Sequence, residues 1–335
     1  MGGETIFRNE IVLNVRTREM GSSVTTAYAT GAASTTQRFS SLGGTEDSGK
    51  TAKDTATKKK SAATVGDTVT LSPAAQAAVT AKSDPSVSYY AQFFPTRDGS
   101  PATALAAAIV DPGAESISKG KTKEQVATAA RASMDAKYKE MQASGKPFDI
   151  NSNEGKDWYS LMGNLDRRAL YSVSSNQGGQ FSKDEQDIAQ SIMSQQQGWA
   201  MGLPGGPTRL VEGVPDSFNG DNAGRMKAAV KWLDGVSNDE KASISWASSR
   251  AAAQTSYEWI MEGQKKTPEN LDSDSPMVKL IKSAMNTMKD SLERGFTHGT
   301  LSSKEDLKRQ TWFQGFEDQL DDAQKRTEEL YQRKG

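Results

Sequence analysis

The sequence predicts an all-α protein, a helical bundle preceded by a long disordered N-terminal tail. Three observations carry this. All six Trp and ten of the twelve Met lie beyond residue 133, so the side chains that dominate a core are C-terminal. In that part apolar residues recur at helical spacing behind recognisable helix starts, and strand signals are almost absent. Upstream, residues 21–83 are mainly Ser, Thr, Ala, Gly and Lys, too poor in large apolar groups to offset the entropy of ordering.

The order along the chain follows. Residues 1–83 form the tail, with one short helix near 72–81, where Ser72 caps and Pro73 takes the first helical position. Residues 84–120 contain Pro85, Pro95, Pro101 and Pro112 around the aromatic group Tyr89, Tyr90, Phe93 and Phe94. They read as a Pro-containing linker that lies back on the folded body, with a short Ala-rich helix near 102–110. The helical domain spans 121–335. Its first helix starts at a capping box, Thr122 to Gln125, and shows Val126, Ala129, Ala130, Ser133, Met134, Tyr138 and Met141 on one face. Trp158, Leu161, Met162, Leu165 and Ala169 make a second stripe. Met277, Leu280, Ile281, Ala284, Met285, Met288 and Leu292 make a third.

Three further helix starts share one device: Ser182 with Glu185, Ser237 with Glu240, and Ser302 with Glu305. Each follows an apolar residue (Phe181, Val236, Leu301) placed to act as a staple. The last helix carries Phe313, Phe316, Leu320, Ala323, Thr327 and Leu330, a short a/d seam that either docks in the bundle or makes an oligomer by pairing with another chain.

Composition excludes much chemistry. There is no Cys, which removes disulfides, Cys zinc sites and thiol nucleophiles, and the single His298 cannot build a multi-His metal site. The net charge is −1, so no global field attracts nucleic acid. Lys58, Lys59 and Lys60 form a short basic run without interleaved aromatics. The N-terminal apolar stretch is broken by Arg8, Asn9, Glu10 and Asn14, and is neither a signal-peptide core nor a membrane span. The expectation is a soluble chain, cytoplasmic or secreted without a cleaved signal, starting at Met1 or at Met20, where composition changes.

Residues 44–51 match the phosphate-loop pattern G-x-x-x-x-G-K-[ST] with Gly44, Gly49, Lys50 and Thr51. A working loop needs a buried strand before it and an apolar-faced helix after it, and neither is present in the sequence. Leu105 to Asp111 imitates the apolar strand and acid of such enzymes, yet its Ala content favours helix. No G-x-S-x-G or H-E-x-x-H pattern occurs. His298 reads as a surface-loop residue, and no catalytic residue is assigned. Trp199, Trp232, Trp246 and Trp259 read as core rather than as a sugar-stacking platform. The Pro/Gly break from Met201 to Pro207 reads as a connector, with a mobile loop over a groove as the alternative.

The segment Ser174-Ser175-Asn176-Gln177-Gly178-Gly179-Gln180-Phe181-Ser182-Lys183-Asp184-Glu185 resembles the calcium loop of an EF-hand. Gly179 stands at the sharp turn, Phe181 at the apolar position and Glu185 at the place of the bidentate carboxylate. The resemblance implies Ser174, Asn176, the Gln180 carbonyl, Ser182 and Glu185 as calcium ligands. Ser174 replaces the usual leading Asp, and one carboxylate among the ligands implies weak binding. The alternatives are a stapled helix cap after a Gly-rich turn, and an EF-hand-like turn that holds no metal. Residues 294–305 share the skeleton, with Arg294, Phe296 and His298 where oxygens belong. The residues Val69 to Gln76 (VTLSPAAQ) resemble the LS-x-x-A segments of flagellar anti-sigma factors and other bacterial export-associated proteins.

The leading functional expectation is a non-enzymatic interaction or structural protein with a protein partner, associated with bacterial export or the cell surface. A weak calcium-responsive module and a glycan or cell-wall hydrolase using carboxylates are the alternatives.

Overall fold

The computed structural model describes residues 84–287 and 301–333. The tail, its helix near 72–81, the phosphate-loop match, Met288 and Leu292 of the third stripe, and residues 294–300 with His298 lie outside them. The described residues are all-α: thirteen helices and four short 3-10 turns, with no strand among them.

The helices enclose two apolar cores. The first is built by α1 (Pro85–Ala91), α2 (Thr103–Val110), α3 (Lys123–Ala143), α4 (Lys156–Met162), α5 (Arg167–Ser174) and α6 (Lys183–Ala200). The short α7 (Thr208–Val211) follows. The second core is built by α8 (Asn222–Asp234), α10 (Ile244–Gly263), α11 (Pro276–Asn286), α12 (Lys304–Lys308) and α13 (Leu320–Arg333). Between α8 and α10 sits α9 (Asn238–Lys241), a single turn that touches α5 of the first group and α13 of the second.

The segment expected as a linker is part of the first core. Pro85 occupies the first turn of α1, behind the Asp84 cap, where its missing N–H costs nothing. Phe94 and Leu105 are buried among Leu161, Met162 and Ile188. Two glutamines of α6 fix the segment by its backbone: Gln195 Nε2 donates to Phe93 O at 3.0 Å and Gln196 Nε2 to Leu105 O at 3.0 Å. The expected Ala-rich helix is present as α2, and the segment lies on the body as expected, but as part of its core. Gly113 lies so close to Gly235 that a Cβ on it would stand 2.8 Å from the Gly235 carbonyl oxygen, which brings this segment directly onto the end of α8.

The predicted helix starts are present, with instructive shifts. Thr122 and Ser182 close reciprocal capping boxes with Gln125 and Glu185. Ser237 accepts from the Glu240 amide, while the Glu240 side chain turns to Arg167 instead of back to the cap. The third box forms one residue later than expected, between Ser303 and Asp306. The Asp306 carboxylate takes the amides of both Ser302 and Ser303, which the adjacent Glu305 cannot do from its register. The stripe from Trp158 to Ala169 is divided between α4 and α5, because Asp166 caps α5 at the Ala169 amide. The terminal seam docks in the bundle: Leu320, Ala323, Thr327 and Tyr331 are buried, and Thr327 Oγ1 accepts from the Met277 amide at 3.0 Å. The expected single helix from Phe313 begins only at Leu320, after the 3-10 turns Thr311–Phe313 and Glu317–Gln319.

Hydrogen bonding by Ser303, working against a burial cost and joined by Ser302 and Arg309, holds Asp306 down from 3.8 to about 2. A folded-state value below the unfolded one contributes stability above the unfolded pKa, and the contribution is lost as pH falls through the folded value. Asp306→Asn is therefore expected to lower stability at neutral pH and to flatten the acid limb of the stability curve between about 4 and 2, the interval between the ordinary and the shifted carboxylate values. Urea unfolding at a series of acidic pH values checks this.

Candidate functional site

The loop with the EF-hand resemblance sits between α5 and α6, as the sequence suggests, and turns through Asn176, Gly178 and Gly179, all at positive φ. The side-chain oxygens of Ser174, Asn176, Ser182 and Glu185 already have partners. Ser174 Oγ donates to Tyr171 O at 3.2 Å. Asn176 Oδ1 accepts from the Phe181 amide at 3.0 Å, which closes the loop on itself. Ser182 Oγ accepts from the Glu185 amide at 3.3 Å. The Gln180 side chain lies over Gly178, where a Cβ would meet its Nε2 at 2.8 Å.

Glu185 points across to α3. Its Oε1 accepts from Arg131 Nη1 at 2.9 Å and from Tyr138 Oη at 3.1 Å. Its Oε2 accepts from Arg131 Nη1 at 3.0 Å and from the Ser182 amide at 2.8 Å. The guanidinium lies 5.7 Å from the centre of the Phe181 ring and 5.8 Å from that of Tyr138, within cation–π range. Burial is the largest single influence and opposes the Arg131 charge, but the hydrogen bonds and charges of Glu185 and Asp135 together outweigh it and raise the pKa. Burial, with the Glu185 charge next, pushes the Tyr138 phenol up. The structure thus brings Glu185 together with Arg131, Tyr138 and Ser182. Ser174 and Asn176 bond within the turn, and Gln180, whose carbonyl was the expected ligand, lays its side chain over Gly178. No group of three or more His, Asp or Glu residues arranged to hold a metal is found among the described residues.

Arg131 and Tyr138 were not singled out as site residues from the sequence. The signal was present: Arg131 follows the buried Ala130 within an otherwise apolar stripe, with Tyr138 two turns on along the same face.

The same construction recurs at the other buried carboxylates. Asp157 of α4 accepts from Arg97 Nε at 2.5 Å and from the Asp149 amide at 2.7 Å, and Arg97 also reaches the Lys146 and Pro147 carbonyls. Asp166 accepts the Ser116 and Ser118 amides at 2.7 and 2.9 Å, and its other oxygen caps α5. Glu240 of α9 forms a two-pronged pair with Arg167 of α5, at 3.0 and 2.6 Å. Arg167 is itself 4.3 Å over the Trp232 ring and donates to Gln196 Oε1 and to the Met193 carbonyl. Asp157, Asp166, Glu185 and Glu240 are the fully buried acids among the described residues. Each is held by Arg or backbone donors from another part of the fold.

Beside the Arg167–Glu240 pair lies a cleft of about 60 Å³ between the two cores, lined by Tyr171, Gln190, Trp246 and Ser249 among others. It has room for a few water molecules. Burial, then the Glu240 charge, pushes the Tyr171 phenol up to about 12. Trp199, Trp232, Trp246 and Trp259 are buried. The 201–207 break is tied down: Trp199 Nε1 donates to Gly205 O at 2.8 Å, and Arg225 Nη1 to the Met201 and Gly202 carbonyls. No described helix is long and apolar enough to cross a membrane. Comparison with known proteins gives no match: no family model, no curated protein and no solved structure matches the chain.

Proposed function

We propose that this chain is a non-enzymatic interaction or structural protein whose helical body presents surfaces to a protein partner. One observation supports the reading above others. The four buried carboxylates, which are the groups an acid–base enzyme would need free, each join separated parts of the chain through Arg or backbone donors. A glycosidase needs one carboxyl kept protonated and a second facing it across the scissile bond. Among the described residues, no two of the four buried carboxylates share a partner, and each is already engaged by donors of the fold. The export- or surface-associated part of the proposal rests on the residues Val69 to Gln76.

The same construction decides how calcium enters. For the 174–185 loop to hold the ion, Glu185 must leave Arg131 and Tyr138, so the loop serves as a stapled turn in this reading. Thermal unfolding of the full chain in EGTA, in millimolar calcium and in millimolar magnesium tests it. The expected result is one melting temperature in all three, lowered in all three by Glu185→Gln. A rise in calcium alone that Glu185→Gln abolishes would replace this reading with a calcium-responsive module. Release of reducing ends from peptidoglycan or chitin by the purified chain, lost in Asp157→Asn protein that is still folded, would replace it with a hydrolase.

A further inference from the structure

The turn between α7 and α8 carries the single Asn–Gly pair of the sequence, Asn219–Gly220. Both residues are exposed, and both have positive φ, 49° and 81°. In such a pair the glycine has no side chain to hinder its own amide nitrogen. That nitrogen can attack the asparagine Cγ, closing a five-membered succinimide and expelling the side-chain nitrogen as ammonia. Water then opens the ring to aspartate or isoaspartate. Amide and water become acid and ammonia, and no other reactant is needed.

The structure shows what restrains this reaction. The Gly220 amide donates to Asp216 Oδ2 at 3.0 Å. The Phe218 amide donates to Asp216 Oδ1 at 2.9 Å, and the Asn219 amide to the Asp216 carbonyl at 3.1 Å. One residue therefore holds all three amides of the turn, and the attacking nitrogen is among them. Asp216 is fixed in turn by Arg225 Nη2 at 2.7 Å, from a side chain that is buried in α8. To react, the Gly220 amide must leave the carboxylate and the Asn219 backbone must rotate out of its left-handed turn, which is a local opening.

We propose that Asn219 is a self-modifying, deamidating site of the folded body, and that Asp216 is the residue that sets its rate. The product matters to the fold. A new carboxylate, or the longer backbone of isoaspartate, arises in the turn that positions Asp216 against Arg225. Arg225 in turn holds the Met201 and Gly202 carbonyls that follow α6, at 2.9 and 3.0 Å.

The test incubates the full chain in mildly alkaline buffer and follows Asn219 by peptide mass mapping, with isoaspartate distinguished by its retention. Conversion at Asn219 is expected to outpace every other asparagine of the described body. Asp216→Ala, shown to be folded by circular dichroism, is expected to convert about tenfold faster, the factor that about 1.4 kcal/mol of lost hydrogen bonding corresponds to. If Asp216→Ala does not fold, the wild-type chain is compared in buffer and in urea at equal pH, and slower conversion in buffer is expected. Equal rates in folded wild type and folded Asp216→Ala, equal rates in buffer and urea, or faster conversion at another asparagine of the body would overturn the proposal.

Discussion

Glu240→Gln is expected to lower the stability of the described body by about 3–5 kcal/mol, the usual consequence of removing one partner of a buried ion pair. For a body of this size that is a fall in melting temperature of roughly 6–20 °C. The size follows from what remains. Arg167 is 3% exposed in its side chain, and Nε and Nη2 would lose charged acceptors at 3.0 and 2.6 Å. Its remaining bonds to Gln196 and the Met193 carbonyl, and its place over Trp232, cannot neutralise it. The loss also falls where the two cores meet, since Arg167 belongs to α5 and Glu240 to α9, 73 residues apart in sequence. Thermal unfolding followed by helical circular dichroism measures it. A change within about 1 kcal/mol, the range of an exposed pair, would mean that the pair is not the inter-core tie described above.

The second large effect is expected at Phe94. Its side chain is 1% exposed, stands edge-on to Tyr159 with ring centres 5.4 Å apart, and belongs to the same core as Leu105 and Leu161. Phe94→Ala should cost about 3–5 kcal/mol, the range for deleting a buried ring without full collapse of the site. A linker residue lying loosely on the body would cost a small fraction of that. Denaturant unfolding with an unchanged slope and a lowered midpoint is the expected signature.

What could be read from the sequence depended on how far each cause reaches along the chain. Helix caps are local, so Thr122–Gln125 and Ser182–Glu185 were legible as reciprocal pairs. The shift from Ser302 to Ser303 shows the limit: two serines followed by two acids allow two registers, and only the folded geometry selects Asp306. The apolar stripes of α3 and α11 were legible because burial repeats at helical spacing. For residues 84–120 the helix near 102–110 was legible and the depth of burial was not, because prolines mark both linkers and helix starts. What decides between them is whether Phe93, Phe94 and Leu105 find a core, and that core is made by α4 to α6, far downstream. The site was least legible of all. Glu185 was visible as the last residue of a loop pattern, but its partner Arg131 lies 54 residues upstream, and no spacing rule connects them. Nor does anything local distinguish Glu240 from Glu185, although one closes its cap and the other abandons it for Arg167.

The most direct test of the central claim, that the buried charges serve to hold the helices together, is a double-mutant cycle on Arg167 and Glu240. The variants are Arg167→Met, Glu240→Leu and the two combined, each measured by denaturant unfolding. If the charges act as a structural tie, each single replacement leaves one buried charge unpaired and costs about 3–5 kcal/mol. The apolar pair should then recover most of that loss. A double variant as unstable as the sum of the two single ones would contradict the account, because it would show that the two residues do not act on each other.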